Sequence, residues 1–184
     1  MTITTDPSPT TGHGHTRADV VTHSVVESAV GDLTLVARDT TLIGLYFPGH
    51  WYMPDRGSFG RAAEQGFADV REQLAGYFRG ERTHFDVSAI ADGNEFQRRV
   101  WDLVRQVPYG QTSSYGHLAR QLGDGTTPQE VGAAVGRNPL CILIPCHRIV
   151  SSTGKLTGYA GGLRRKQFLL DLERQAVDRS MRLF

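Results

Sequence analysis

An α+β fold divided into two units is what this sequence predicts, on three observations. Residues 20–48 are rich in β-branched and aromatic residues and are broken twice by turn formers. Residues 61–78 carry apolar residues at helical spacing. From residue 94 onward the pattern is helical almost throughout. A length of 184 residues suits one compact domain or two small ones.

Residues 1–19 are rich in Thr, Pro, Gly and His and cannot bury a core, so a disordered tail is expected there. Its His13 and His15 form a short His-rich tract. Strands follow at 20–28, 33–37 and 42–47, separated by Gly31-Asp32 and by Asp39-Thr40-Thr41. They read as a three-stranded antiparallel meander. An irregular loop spans 48–58, and a helix is expected from Arg61 to Phe78 on the spacing of Ala62, Phe67, Val70, Leu74 and Tyr77. Gly80 ends it, and 83–87 reads as a short strand closing a first unit over residues 20–92.

The second unit, residues 93–184, opens with a helix from Asn94 whose apolar face is Phe96, Val100, Leu103 and Val104. It stops before Pro108-Tyr109-Gly110. Thr112-Ser113-Ser114 offers an N-cap for a helix over 115–122, and Thr126-Thr127-Pro128 caps a second over 129–136. Two short helices around a glycine-containing turn suit a helix-turn-helix, and equally two antiparallel core helices. A glycine-rich loop over 151–162 precedes a last helix from Leu163 to about Gln175, with Phe168, Leu169 and Leu172 as its buried stripe.

Composition narrows the function. No apolar run approaches the roughly 18 residues that cross a bilayer, and no export signal is present, so a cytoplasmic protein without a membrane role is expected. The two cysteines lie five apart and fit free thiols in a reducing compartment. His13, His15, His23, His50, His84 and His117 lie in no Cys/His ligand spacing, so neither metal nor cofactor is expected. Residues 1–94 hold seven Arg against twelve Asp and Glu; residues 95–184 hold thirteen Arg and Lys against seven Asp and Glu. A basic C-terminal half suits a polyanionic partner or a solvated surface.

The chemistry concentrates at Ile144-Pro145-Cys146-His147-Arg148. The preceding run, Leu140 to Ile144, is apolar enough for a buried strand that Pro145 must end, since proline lacks the N–H to continue a ladder. A thiol beside an imidazole can be an activated thiolate. It can also be a packed core cysteine, the commoner case for an isolated pair. Cys141, within the apolar run, reads as inert core.

The ordered set Phe96-Gln97-Arg98-Arg99-Val100-Trp101, Val107-Pro108-Tyr109-Gly110, Ser114-Tyr115, Arg137-Asn138-Pro139, Ile144 to Arg148 and Gly158-Tyr159-Ala160-Gly161-Gly162-Leu163 resembles the methylated-DNA–protein-cysteine methyltransferases, which repair alkylated guanine. The match covers roughly residues 94–174. The resemblance implies a ribonuclease-H-like N-terminal domain and a winged-helix-like C-terminal domain carrying a helix-turn-helix. It implies a monomer acting on double-stranded DNA that contains alkylated guanine, with the damaged base rotated into a pocket. Cys146 would take the alkyl group once and for all, because a thioether is a poor leaving group. His147 would act as base toward the thiol, Glu173 would orient that imidazole, Asn138 would brace the turn and Tyr115 would donate to the departing guanine. Tyr159, Ala160 and Val135 would line the pocket. Gln129, Ser114, Gly132, Arg137 and Ser152 would contact DNA. Arg148 would secure the fold or a phosphate.

One position departs from the family's pattern. Where a recognition helix usually starts with an Arg that fills the gap left by the flipped base, this chain has Gln129, followed by Glu130. Weaker or more salt-sensitive DNA binding is expected, or else partial compensation by a neighbouring Arg120 or Arg137. A non-catalytic DNA-binding protein that merely retains the thiol, and a cysteine hydrolase using Cys146 and His147, are the competing classes.

Overall fold

The computed structural model describes residues 19–182. The expected disordered tail, apart from its last residue, and its His13–His15 tract lie outside the described residues. Three strands, β1 (Val21–Val26), β2 (Leu33–Arg38) and β3 (Thr41–Tyr46), form the expected antiparallel meander. Asp39 takes a positive φ of 53° in the tight β2–β3 turn, a conformation that Asp tolerates better than most residues. Central β2 points Leu33, Leu35 and Ala37 into the main core and Val36 to the other side, against Tyr46 and Phe59.

Residues 61–67 do not join the helix expected from Arg61. Arg61–Ala62 form β4, parallel to β1, so the sheet order is β3-β2-β1-β4. Gly66 then turns at φ 94°, and α1 begins only at Ala68, running to Phe78. Sheet pairing and a left-handed glycine override the apolar spacing. Val70, Leu74 and Tyr77 bury one stripe of α1 against the sheet. The strand expected at 83–87 is absent. The Gln73 side chain takes the place of a ladder there, donating to the Asp86 carbonyl and accepting from the Asp86 N–H, each at 2.8 Å. The chain then meets β3 through a single bridge, Leu42 with Ala89.

In the C-terminal unit, α2 (Glu95–Arg105) and α4 (Pro128–Gly136) both start in capping boxes, Asn94 with Gln97 and Thr127 with Glu130. Between them, α3 (Tyr115–Leu122) is capped by the Ser114 hydroxyl, and the three helices pack on one another. Strand β5 (Ser113–Ser114) pairs with β6 (Ile149–Val150). Helix α5 runs from Leu163 to Met181, past the expected end at Gln175. Its added turns still pack, with Ala176 buried and Val177 against Gly110.

The run from Leu140 to Ile144 is buried as expected but is not a strand. Leu45 of β3 donates to Pro139 O and accepts from Cys141 N, at 2.8 and 3.1 Å. Ile142 then reverses the chain at φ 71°. The turn that carries Cys146 therefore hangs on the edge of the N-terminal sheet. One hydrophobic cluster continues from Leu33 and Tyr77 through Trp101 to Cys146 and Leu169. Gly161 sits so close to the Phe47 ring that a Cβ there would overlap it, which fixes the 158–162 loop against the sheet.

Candidate active site

Cys146 opens a single 3-10 turn, Cys146–Arg148, directly after Pro145, and only 4% of its surface is exposed. Asn138, 1% exposed, holds this turn from within. Its Nδ2 donates to Ile144 O at 2.9 Å and to Cys146 Sγ at 3.1 Å, while its Oδ1 accepts from Leu140 N at 2.9 Å. One amide thus fixes the backbone around the sulfur and favours its anionic form. The Cys146 thiol is held below its ordinary range, first by the neighbouring Cys141 thiol, against burial, with help from Asn138, Tyr159 and Lys166. Cys141 is pushed well up by the same contact and by burial, so it stays protonated.

Glu173 lies behind His147 with no exposed surface. Four groups donate to it: Tyr77 Oη at 2.8 Å, His147 Nε2 at 2.8 Å, Gly110 N at 2.9 Å, and Arg148 through Nε and Nη2 at 2.9 Å each. Burial pushes its carboxyl up, but the donors from His147 and Arg148 outweigh that and hold it down to about 2. Burial pushes the His147 imidazole below its ordinary value in spite of Glu173, which makes it neutral near pH 7. A neutral ring that donates from Nε2 carries its lone pair on Nδ1. That atom is buried and has no hydrogen-bond partner among the described residues, so it is free to take a proton.

A cleft of about 370 Å³ is lined by Tyr159, the aromatic that acts on the Cys146 thiol. Tyr115, Gln129 and Gly132 line its helical side, and Thr157 to Ala160 form the facing loop. The Tyr115 hydroxyl donates to Gly158 O at 3.4 Å, and burial pushes its pKa up, so it remains a donor at neutral pH. Tyr159 is buried between the cleft and the sulfur, and Ala160 follows it on the wall. Val135 lies in the hydrophobic core and is not part of the lining. Ser114 is engaged as the α3 cap, accepting from His117 N at 3.1 Å, and Ser152 lies exposed in the turn after β6. Arg137 caps the C-terminus of α4, with its guanidinium 5.0 Å from the Tyr52 ring. Glu130 is tied up by Thr127, whose backbone and hydroxyl donate to it at 2.8 and 2.7 Å.

The fold adds residues that the motifs did not point to. Lys166 is fully buried, donating to Ile149 O and Thr157 O at 2.6 and 3.0 Å. Burial lowers its pKa to about 8, and its charge favours a thiolate at Cys146. Its signal in the sequence was the spacing of positions 166, 169, 170 and 173 along one face of α5. Tyr77 passed for a core aromatic, and nothing local marks it as a partner of Glu173.

Known proteins repeat this organisation. Residues 21–89 match the family model of the 6-O-methylguanine DNA methyltransferase ribonuclease-like domain, and residues 95–175 match that of its DNA binding domain. A methylated-DNA–protein-cysteine methyltransferase of Mycolicibacterium paratuberculosis is 45% identical over 90% of this chain and 99% of its own. One from Methanosarcina barkeri is 36% identical over 82% of this chain and 96% of its own. The crystal structure of Mycobacterium tuberculosis O6-methylguanine methyltransferase superposes with a TM-score of 0.79 at 40% identity, covering 85% of this chain and 94% of the other. With the match running through both halves and through the thiol turn itself, the chain belongs to the methylated-DNA–protein-cysteine methyltransferase family.

Proposed function

We propose that this protein repairs double-stranded DNA by moving a methyl or other alkyl group from the 6-oxygen of a flipped-out guanine to Sγ of Cys146. The observation that carries the assignment to Cys146 is its place in the site. The sulfur is buried, held by the Asn138 amide at 3.1 Å, and is followed in the same turn by His147, which is bonded to Glu173 at 2.8 Å.

His147 Nδ1 takes the thiol proton, directly or through a water, while Glu173 holds the ring and stabilises its charged form. The sulfur attacks the alkyl carbon in line; the S–C bond forms as the C–O bond breaks. The electron pair of that bond passes into the guanine ring, where Tyr115 donates a hydrogen bond to the growing negative charge. Arg148 positions Glu173 rather than touching substrate, through its paired bonds at 2.9 Å. The thioether has no route back to a thiol, so each molecule acts once. Helix α4 presents Gln129 and Gly132 at the cleft as the DNA-facing surface, with Arg137 and Ser152 at its margins. The chain works as a cytoplasmic monomer of two units that meet near residue 93.

Intact mass before and after one equivalent of duplex containing methylated guanine tests this. A gain of one methylene, mapped to Cys146 and abolished in Cys146→Ser, is expected. An unmodified protein that binds the duplex tightly would indicate a non-catalytic binder, and transfer by the serine variant would remove Cys146 from the reaction.

A further inference from the structure

Trp51 is unusually exposed for an indole, at 70%, and its neighbour Tyr52 is 44% exposed. Both lie on the wall of the cleft, although they belong to the N-terminal unit. Their backbone is firmly held. Trp51 N–H donates to Ala160 O at 3.2 Å, and Tyr52 N–H donates to His50 Nδ1 at 3.2 Å. His50 is itself buried edge-on against Tyr46, and burial lowers its pKa to about 4, so it stays a neutral acceptor. The backbone of the turn is thus anchored, and both residues line the open cleft. Gly136 has no side chain where Tyr52 approaches, and a Cβ there would come within 3.3 Å of the ring.

Tyr159 and Ala160 line the same cleft as Trp51, and Tyr159 acts on the Cys146 thiol, so the transferred carbon belongs at the Tyr159 side of the cleft. The Trp51 main chain is bonded to Ala160 on that wall, and its side chain lines the cleft. A methyl group on the 6-oxygen is too short to reach the rim, whereas a larger group directed away from the sulfur extends toward the indole. We propose that Trp51 is a specificity-determining residue, an aromatic shelf that receives bulky and above all aryl groups on the 6-oxygen. The N-terminal unit then takes part in choosing the lesion. This rests on Cys146 being the acceptor.

The test compares single-turnover alkylation of Cys146 by 6-O-benzylguanine, offered as the free base, with methyl transfer from duplex DNA. The free base makes no other DNA contact, so its rate reads the cleft alone. In Trp51→Ala, benzyl transfer should slow about tenfold or more, the size of one lost aromatic stacking contact, while methyl transfer changes less than about threefold. Trp51→Phe should restore most of the benzyl rate. An unchanged benzyl-to-methyl ratio in Trp51→Ala, or a raised one as for a removed gate, overturns the shelf. Wild-type protein that gains no alkyl group at Cys146 from the methylated duplex would instead sink the acceptor assignment.

Discussion

The hydroxyl of Tyr77, on a helix of the N-terminal unit, donates to Oε1 of Glu173, on the last helix of the chain, at 2.8 Å. The same hydroxyl lies 3.4 Å from His147 Nε2. Glu173 has no exposed surface through which solvent could replace a lost donor. Tyr77→Phe should therefore destabilise the protein by about 1–3 kcal/mol, the cost of a buried acceptor losing one bond. Urea unfolding measures this. Methyl transfer should slow as well, because the imidazole loses part of its positioning; an unaltered unfolding midpoint would mean that the contact does not hold the two units together.

Acid should weaken the fold through two groups, and both act in the same direction. His147 is held below its ordinary value, so the unfolded chain takes up a proton near pH 6.5 that the native site refuses, and stability falls as pH drops from there. Glu173 is held at about 2, so its contribution is fully present above the unfolded value near 4.3 and is lost as pH falls toward 2. Near pH 7, Glu173→Gln should be strongly destabilised, because it leaves the Arg148 charge buried without its partner. The gap between variant and wild type should narrow as pH falls through that window. A gap that stays constant with pH would show that the carboxylate charge does not stabilise the site.

Cys141 is the largest single influence that holds Cys146 below the ordinary thiol range. Cys141→Ala should raise the pH midpoint of thiolate formation, read by ultraviolet absorbance, and shift the pH profile of alkyl transfer upward with it. Asn138 and Lys166 remain in the variant, so part of the depression should survive. No movement of the midpoint would return Cys141 to the role of inert core.

Gln129 lies exposed at the start of α4 and lines the cleft. Of the two candidate compensating cations, Arg120 is the nearer to that helix start: a Cβ added to Gly116 would meet its guanidinium at 3.7 Å and Pro128 at 4.0 Å. Arg137 sits at the far end of α4, on Tyr52. Gln129→Arg should tighten binding to duplex DNA at moderate salt and steepen the dependence of log affinity on log salt by about 0.9 for one added phosphate contact. Unchanged or weaker binding would mean that Gln129 already supplies what the site needs.

Local pattern was enough for the strand meander and the capped helices of the C-terminal unit, and it singled out the Cys146–His147 turn as the candidate site. These are local: β-branched runs, capping boxes at Asn94 and Thr127, and an imidazole next to a thiol are legible within a few residues. The sequence placed Asn138 and Glu173 only through a resemblance, and it misjudged residues 61–67, 83–87 and 140–144, where partners distant in the chain override local pattern. Which groups surround the thiol and Glu173 followed from the folded chain alone. Tyr77 is 96 positions from Glu173, and Trp51 reaches Ala160 across more than half of the chain. Lys166 acts on the thiol only because α5 folds back beneath the 149–157 segment. Charge and hydrogen bonding act over a few ångströms of space, and a linear order of residues does not encode that distance.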